Sequence, residues 1–208
     1  LGIYLSGHPL EKYRSIMEKM ISARTIDFQP DDETGIPKVY DGQKVIIGGM
    51  ITEKTIKYTR NNKVMAFLTV EDLMGTVEIV VFPRDYEKWQ TLINEDARVF
   101  IQGRVNAEDD KPSKLILEKV RAFDDIPREI WIQFKDREDY AQKEQELLNY
   151  LRGSVGTSAV VIYLKDVKAI KRLPAGYHVQ ISDFLLEELK KKYGDSNVKV
   201  VERVLKNF

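Results

Sequence analysis

Residues 44–123 contain five apolar segments of strand length, with a single helical segment between the third and the fourth. The third segment shows the pattern plainly, because Val77, Ile79 and Val81 alternate with residues of the opposite face. Pro83 then opens the helix, where its missing N–H costs nothing. The predicted strands are Lys44–Tyr58, Val64–Glu71, Thr76–Phe82, Arg98–Val105 and Lys114–Phe123. Five short strands with one inserted helix predict a small closed barrel.

This order of elements is typical of the OB-fold, a barrel that often binds single-stranded nucleic acid. Gly48 and Gly49 lie inside the first strand, where they predict a bulge or a sharp bend. Asp72 and Gly75 predict a tight hairpin turn between the second and third strands. The helix is expected to stop at Asn94 and to carry one apolar face, formed by Tyr86, Trp89 and Ile93.

The rest of the chain divides around this barrel. Residues 1–41 are expected to be the helical end of a preceding module with a linker, residues 42–124 the barrel, and residues 129–208 a C-terminal α/β tail domain. The tail domain shows strand and helix patterns in the order βαββαβ. Its predicted elements are Ile130–Phe134, Glu138–Arg152, Ser158–Leu164, Lys168–Leu173 with or without Tyr177–Ile181, Ser182–Tyr193 and Val198–Val204. The pattern predicts an α+β protein of two domains, the second of them ferredoxin-like or a split βαβ arrangement.

Composition excludes several classes of protein. The 208 residues include no cysteine, which excludes disulfides and thiolate metal sites and fits a reducing compartment. No apolar run approaches the roughly 18 residues of a membrane helix, and the N-terminus has no signal-peptide pattern. The absence of cysteine leads us to expect a cytoplasmic protein, and because the chain starts at Leu1 we expect a piece of a longer one.

Charge is balanced overall and gives no bulk signal for nucleic acid, since the 33 basic and 33 acidic residues cancel. Residues 42–124 alone hold 13 of each sign. The positive charge of the barrel is local, at the end of the first strand and in its loop. The residues that form this cluster are Lys54, Lys57, Arg60 and Lys63. They are candidates for phosphate contacts, and a solvated loop is the alternative.

Three further barrel residues are candidates for a nucleic-acid site. Tyr58 and Phe67 are predicted to stack on bases, although alternation alone leaves open whether they lie in the core instead. Arg104 is predicted to reach a phosphate, with a surface ion pair as an equal alternative. The aromatic side chains Phe82, Tyr86 and Trp89 are expected to be core or to plug the barrel.

No pattern in the chain predicts a catalytic centre, a metal site or a cofactor. His8 and His178 are far apart in sequence, and His8 is expected to cap or pack at a helix start. Asp72 is assigned to turn chemistry rather than catalysis. The segment Gln145–Tyr150 loosely fits a clamp-docking peptide, but it falls in an amphipathic helix whose leucines should be core.

Several motifs together resemble one family. They are Leu1–Leu10 (LGIYLSGHPL), Met65–Asp72, Val80–Pro83, Phe100–Val105, Val179–Leu189 and Asn197–Val200. They are similar to the catalytic alpha subunit of bacterial DNA polymerase III, over nearly the whole chain. The barrel motifs alone recur in other OB-folds, including the anticodon domains of aminoacyl-tRNA synthetases.

The resemblance implies a non-catalytic C-terminal region of a bacterial DNA-directed DNA polymerase. The barrel would bind single-stranded DNA template, the tail domain would dock the clamp-loader tau subunit, and an upstream segment would contact the sliding clamp. Polymerase chemistry with Mg²⁺ would belong to the intact parent in the replisome, and this piece would need no cofactor. The alternatives are a synthetase OB module and a pure protein-interaction scaffold.

Overall fold

The computed structural model describes residues 7–108, 111–204 and 208. The chain forms two compact units. The first runs to Asp125 and also includes Val204 and Phe208, and the second spans Ile126–Arg203. The strands are β1 (Lys44–Tyr58), β2 (Val64–Glu71), β3 (Thr76–Val81), β4 (Arg98–Asn106), β5 (Lys114–Ala122), β6 (Arg128–Phe134), β7 (Val160–Leu164), β8 (Ala169–Arg172) and β9 (Val198–Glu202). The helices are α1 (Arg14–Met20), α2 (Pro83–Trp89), α3 (Arg137–Arg152) and α4 (Asp183–Tyr193). Within the described ranges, no helix is long and apolar enough to span a membrane.

The first unit contains a closed barrel of five strands in the order β1-β2-β3-β5-β4, as predicted. β1 serves both sides of the closure, because its first half pairs with β4 and its second half with β2. The bulge lies between Ile51 and Glu53, later than the glycine pair suggested. Gly49 serves close packing instead, since a Cβ there would stand 2.5 Å from the Glu71 carbonyl oxygen.

α2 is shorter than the sequence pattern predicts. It ends at Trp89, and Ile93 is fully buried in the turn that follows it. Tyr86 and Trp89 pack against the barrel core, and the Trp89 indole N–H donates to the Glu118 carbonyl at 3.1 Å. Phe82 does not join the core as expected, because its side chain is 45% exposed.

The segment before the barrel belongs to the same compact unit as the barrel. Phe28 is fully buried in the barrel core cluster. Thr25 donates its backbone N–H and its hydroxyl to the Asp72 carboxylate at 2.8 and 2.6 Å. Asp72 also accepts the backbone N–H groups of Met74 and Gly75, which confirms its predicted role in the turn.

The second unit has the predicted βαββαβ element order, but its sheet is not ferredoxin-like. The strand order is β8-β7-β6-β9, and β6 pairs directly with β7 in parallel. A split βαβ unit would place another strand between those two. The optional strand Tyr177–Ile181 is absent from the described sheet, since a short 3-10 turn and a single bridge at Val179 occupy the segment.

Both helices of the second unit pack on one face of this sheet. Ile130, Ile132 and Phe134 of β6 share a buried cluster with Leu147 of α3 and Leu189 of α4. The segment Gln145–Tyr150, which resembles a clamp-docking peptide, lies inside α3. Its Leu147 belongs to the buried core, as expected. The Ser182 hydroxyl accepts the Leu185 N–H and so caps α4 at its predicted start.

Candidate nucleic-acid interface

The second half of β1 forms a hairpin with β2 that leaves the barrel core. Residues 55–58 of β1 are all exposed, and they pair in sequence with Phe67, Ala66, Met65 and Val64. The turn of the hairpin is well ordered, since Thr59 and Lys63 are linked by a backbone hydrogen bond of 2.8 Å. Asn62 adopts the left-handed conformation at φ 56°, which asparagine tolerates better than most residues.

Three cations of this hairpin face solvent. The side chains of Lys57, Arg60 and Lys63 are exposed, and none of them forms an ion pair with another described residue. We call these three residues the cationic hairpin. Because their charges are not neutralised by neighbouring carboxylates, they are available to an anionic ligand.

A row of side chains crosses the outside of the barrel beside the hairpin. In β2, Ala66 and Leu68 are buried, so the alternate residue Phe67 faces outward. Strand register places Phe67 opposite Val80, Val80 opposite Ile116, and Ile116 opposite Arg104. We call these four residues, on four successive strands, the exterior row. Val80 itself is only 8% exposed, so the outer surface here presents the partly exposed Phe67 ring with the partly exposed Ile116 two strands away.

Phe67 and the cationic hairpin meet at Lys57. The Lys57 ammonium lies 4.9 Å from the centroid of the Phe67 ring, within reach of a cation–π contact. A base stacked on Phe67 would therefore have a cation next to it. The structure brings together these two predicted residues, one able to stack and one able to neutralise charge.

Tyr58 and Lys54 lie on the other side of the hairpin. Tyr58 pairs with Val64, which has the same parity as the buried residues of β2. Its ring is 68% exposed, so it is not core. Lys54 is directed to the α2 side, where its ammonium donates to the Asn94 side-chain oxygen at 3.1 Å and lies 5.4 Å from the Tyr86 ring centroid. The predicted site residues are therefore divided between two faces.

Arg104 forms the surface ion pair that was its alternative reading. Its Nε lies 3.4 Å from Glu118 Oε1, and Lys44 Nζ lies 3.4 Å from the other oxygen of the same carboxylate. All three side chains are at least partly exposed, so the pairs contribute little to stability. Ile116 was not predicted as a site residue, because its alignment with Phe67 depends on the non-local pairing of β3 with β5.

The described residues hold no group of three or more His, Asp or Glu side chains that could bind a metal ion. His8 has a structural position, since its Nδ1 accepts the Leu10 N–H at 3.1 Å. Its Nε2 lies 2.7 Å from a Glu71 carboxylate oxygen. The chemistry that this surface offers is therefore charge neutralisation and stacking.

Comparison with known proteins identifies the barrel by class. Residues 45–122 match the family model described as an OB-fold nucleic acid binding domain. The first unit is therefore an OB-fold barrel, as its strand order indicates.

The match to known proteins extends beyond the barrel. It is 26% identical to DNA polymerase III subunit alpha of Escherichia coli strain K12 over 213 residues, covering 96% of this chain and 17% of that relative. The same subunit of Bacillus subtilis strain 168 is 27% identical, with 95% of this chain and 17% of the relative covered. The chain is thus a relative of DNA polymerase III alpha subunits, which confirms the predicted resemblance.

The matches cover both units but only 17% of the relatives' own length. The activity, substrates and partners of those whole proteins are accordingly proposals for this chain. Among solved structures, a mitochondrial single-stranded DNA binding protein from S. cerevisiae is similar with a TM-score of 0.34 and 17% identity, over 40% of this chain and 96% of its own. A likeness of that size carries no argument about function.

Proposed function

We propose that the barrel binds single-stranded DNA, as the template-handling part of a bacterial replicative polymerase. The observation that carries the proposal is the contact between the cationic hairpin and the exterior row, where Lys57 lies over Phe67. A single strand offers both of the groups that such a surface can hold, a phosphate backbone and flat bases free to stack.

The binding mode follows from the side chains present. The three cations Lys57, Arg60 and Lys63 neutralise phosphates, and Phe67 stacks one base, with Ile116 extending the apolar surface. Stacking and charge are tolerant of sequence, so the barrel holds a strand without reading it. Tyr58 and Lys54 serve a strand that passes around the hairpin tip to its other side.

Salt dependence tests the electrostatic part. The full chain is titrated into labelled oligo-dT at several salt concentrations, with fluorescence anisotropy as the readout. If three to four phosphates are neutralised, the slope of log K against log salt is roughly −2 to −3. A triple variant Lys57→Ala/Arg60→Ala/Lys63→Ala is expected to bind at least about tenfold more weakly and with a shallower slope.

The matched control removes three exposed lysines elsewhere, in Lys12→Ala/Lys191→Ala/Lys192→Ala. It has the same net charge as the hairpin variant, so a general loss of attraction affects both equally. The proposal fails if oligo-dT does not bind at low salt, or if the two triple variants lose the same affinity.

For the second unit we propose docking to the clamp-loader tau subunit. The support is that the matches to alpha subunits continue through this unit, and that it is compact in itself. Phe184 in the first turn of α4 is 71% exposed, which is unusual for a phenylalanine and suits a protein contact. Polymerase chemistry with Mg²⁺ and contact with the sliding clamp are assigned to the parent protein.

A pull-down with tau tests this second assignment. Phe184→Asp is expected to weaken capture of tau while oligo-dT binding by the barrel stays unchanged. Retained capture by that variant and by a chain lacking residues 129–208 would exclude the tau proposal without affecting the barrel proposal. A synthetase-type barrel is disfavoured because the matches to alpha subunits include the second unit.

A further inference from the structure

The sheet of the second unit has a second face, directed away from its two helices. In β6, Ile130, Ile132 and Phe134 face the helices, so Trp131 and Gln133 face the other way. Tyr163 of β7 lies on the same side, because it pairs with Gln133 in the parallel register. We call this side the open face. Its aromatic side chains, Trp131 and Tyr163, are partly exposed and are not part of the buried core cluster of the unit.

The open face carries a fixed aromatic pair. The rings of Trp131 and Tyr163 have centroids 6.4 Å apart and are tilted by 40°. The Trp131 indole N–H donates to the Glu129 carboxylate at 3.0 Å, and Arg172 pairs with the same carboxylate. These contacts hold the indole in one orientation. A preordered aromatic surface lowers the entropy cost of stacking a ligand on it.

One cation, Lys199, lies beside the aromatic pair, and three more line a cleft that adjoins it. A cleft of about 190 Å³ is lined by Trp131, Gln133, Tyr163, Asn197 and Lys199, among others. A second cleft of similar volume shares Gln133 and Asn197 with it. The cations of the second cleft are Lys135, Lys143 and Lys165.

These charges favour an anionic ligand. The carboxylate in the second cleft, Asp139, is already engaged by Lys143 at 2.6 Å and by the Lys135 N–H at 3.0 Å. Lys135, Lys165 and Lys199 form no ion pair with other described residues. The paired clefts thus hold unneutralised positive charge next to two aromatic rings.

We propose that the open face is a second binding site for single-stranded nucleic acid, separate from the barrel. Bases stack on Trp131 and Tyr163, phosphates lie against Lys165 and Lys199, and Gln133 offers its amide to a base edge. A four-stranded sheet with exposed aromatic residues is a platform that single strands use in other proteins. The flanking charge is cationic, which favours a strand with a phosphate at every step over a peptide.

The two tryptophans of the chain allow a direct test. Trp89 packs against the barrel, so Trp89→Phe leaves Trp131 as the one fluorescent indole and keeps an aromatic ring in the barrel. Short oligo-dT is titrated into this full-length variant. Stacking of thymine on Trp131 is expected to quench its emission in a saturable way.

Charge reversal shows whether the quenching comes from the open face. Lys165→Glu/Lys199→Glu in the Trp89→Phe background is expected to raise the midpoint of quenching about tenfold, because two phosphate contacts become repulsive. Lys191→Glu/Lys192→Glu on α4 has the same change of charge and is expected to move the midpoint by less than about twofold. Both pairs are exposed, so neither is expected to unfold the unit.

The outcome is separable from that for the barrel. Adding Lys57→Ala/Arg60→Ala/Lys63→Ala is expected to leave the Trp131 quenching in place. No quenching at oligo-dT concentrations that saturate anisotropy would overturn the proposal. So would equal loss in both charge-reversed variants, or quenching that disappears with the barrel variant. Quenching by a peptide of tau but not by oligo-dT would assign the open face to protein binding and overturn it as well.

Discussion

The two units each place an aromatic ring and lysines on the outside of a sheet, but they do so with different surroundings. In the barrel, the cations of the hairpin extend beyond the core and have no described carboxylate partner. In the second unit, many lysines are already paired, such as Lys171 with Glu144 and Lys192 with Glu146. The comparison teaches that net charge is a poor guide to a site, since both units are near neutral and yet each has a few cations without a described carboxylate partner.

The largest expected effect is a loss of stability in the barrel that leaves the stability of the second unit unchanged. A Cβ at Gly103 would stand 2.2 Å from the Ile116 carbonyl oxygen and 2.9 Å from Leu115 Cγ. Gly103→Ala is therefore expected to destabilise the barrel by about 3 kcal/mol, because backbone rather than a flexible side chain must move. Denaturant unfolding followed by Trp89 emission would show the loss of barrel stability. The transition followed by Trp131 emission, which reports on the second unit, would keep its usual midpoint.

Gly176→Ala is the matched control for that substitution, since nothing lies within 4 Å of the added methyl group. An equal shift of both tryptophan signals in Gly103→Ala would mean that the two units unfold together.

The next effect concerns the buried carboxylate beneath the open face. Glu129 is only 5% exposed. Burial raises the pKa of its carboxyl, but hydrogen bonds from Arg172 and Trp131 outweigh burial and hold that pKa below its ordinary value. Glu129→Gln is expected to cost the second unit roughly 1.5–3 kcal/mol at neutral pH, as for hydrogen bonds to a charged group.

The lowered pKa also sets a pH dependence. The stabilisation from Glu129 is complete above the pKa that the carboxyl has in the unfolded chain. It is lost as pH falls through the lower pKa of the folded state. Unfolding measured through Trp131 should therefore show a fall in stability at acid pH that is smaller in Glu129→Gln. Equal pH profiles for the two chains would count against this role of Glu129.

A smaller effect would sharpen the assignment of faces on the hairpin. Phe67→Ala is expected to weaken oligo-dT binding about tenfold, in line with the loss of one stacked base. Tyr58→Ala should cost less than Phe67→Ala, because Tyr58 lies on the side away from the exterior row. Anisotropy titrations measure both variants, and a larger loss for Tyr58→Ala would reverse the faces.

The smallest effect is expected at Arg104. Its guanidinium is paired with Glu118 and its neighbour Lys44 shares that carboxylate. Arg104→Ala is therefore expected to change stability by less than about 1 kcal/mol and oligo-dT affinity by less than about twofold. A large loss of affinity would show that Arg104 leaves Glu118 to bind a phosphate.

Local patterns were enough to predict the strands of the barrel, since alternation and turn residues place their ends within a residue or two. They could not predict pairing between distant strands, and so missed Ile116. The same limit explains the second unit, where the element order was correct but the direct β6–β7 pairing was not foreseen. The packing of the N-terminal segment against the barrel could not be predicted either, because no local pattern specifies the contacts by which Phe28 joins the barrel core.

The bulge in β1 has a consequence for how such barrels can diverge. Before it, Val45, Ile47 and Ile51 face the core; after it, the even-numbered residues Lys54, Ile56 and Tyr58 take that side. Thr52 is the extra residue, and it shifts the odd–even pattern without changing which residues pair after it. Lys57 and Tyr58 keep the faces that their partners Met65 and Val64 set, so a strand without Thr52 would still carry Lys57 beside Phe67. A relative could thus gain or lose one codon at this point while the ligand surface stays intact.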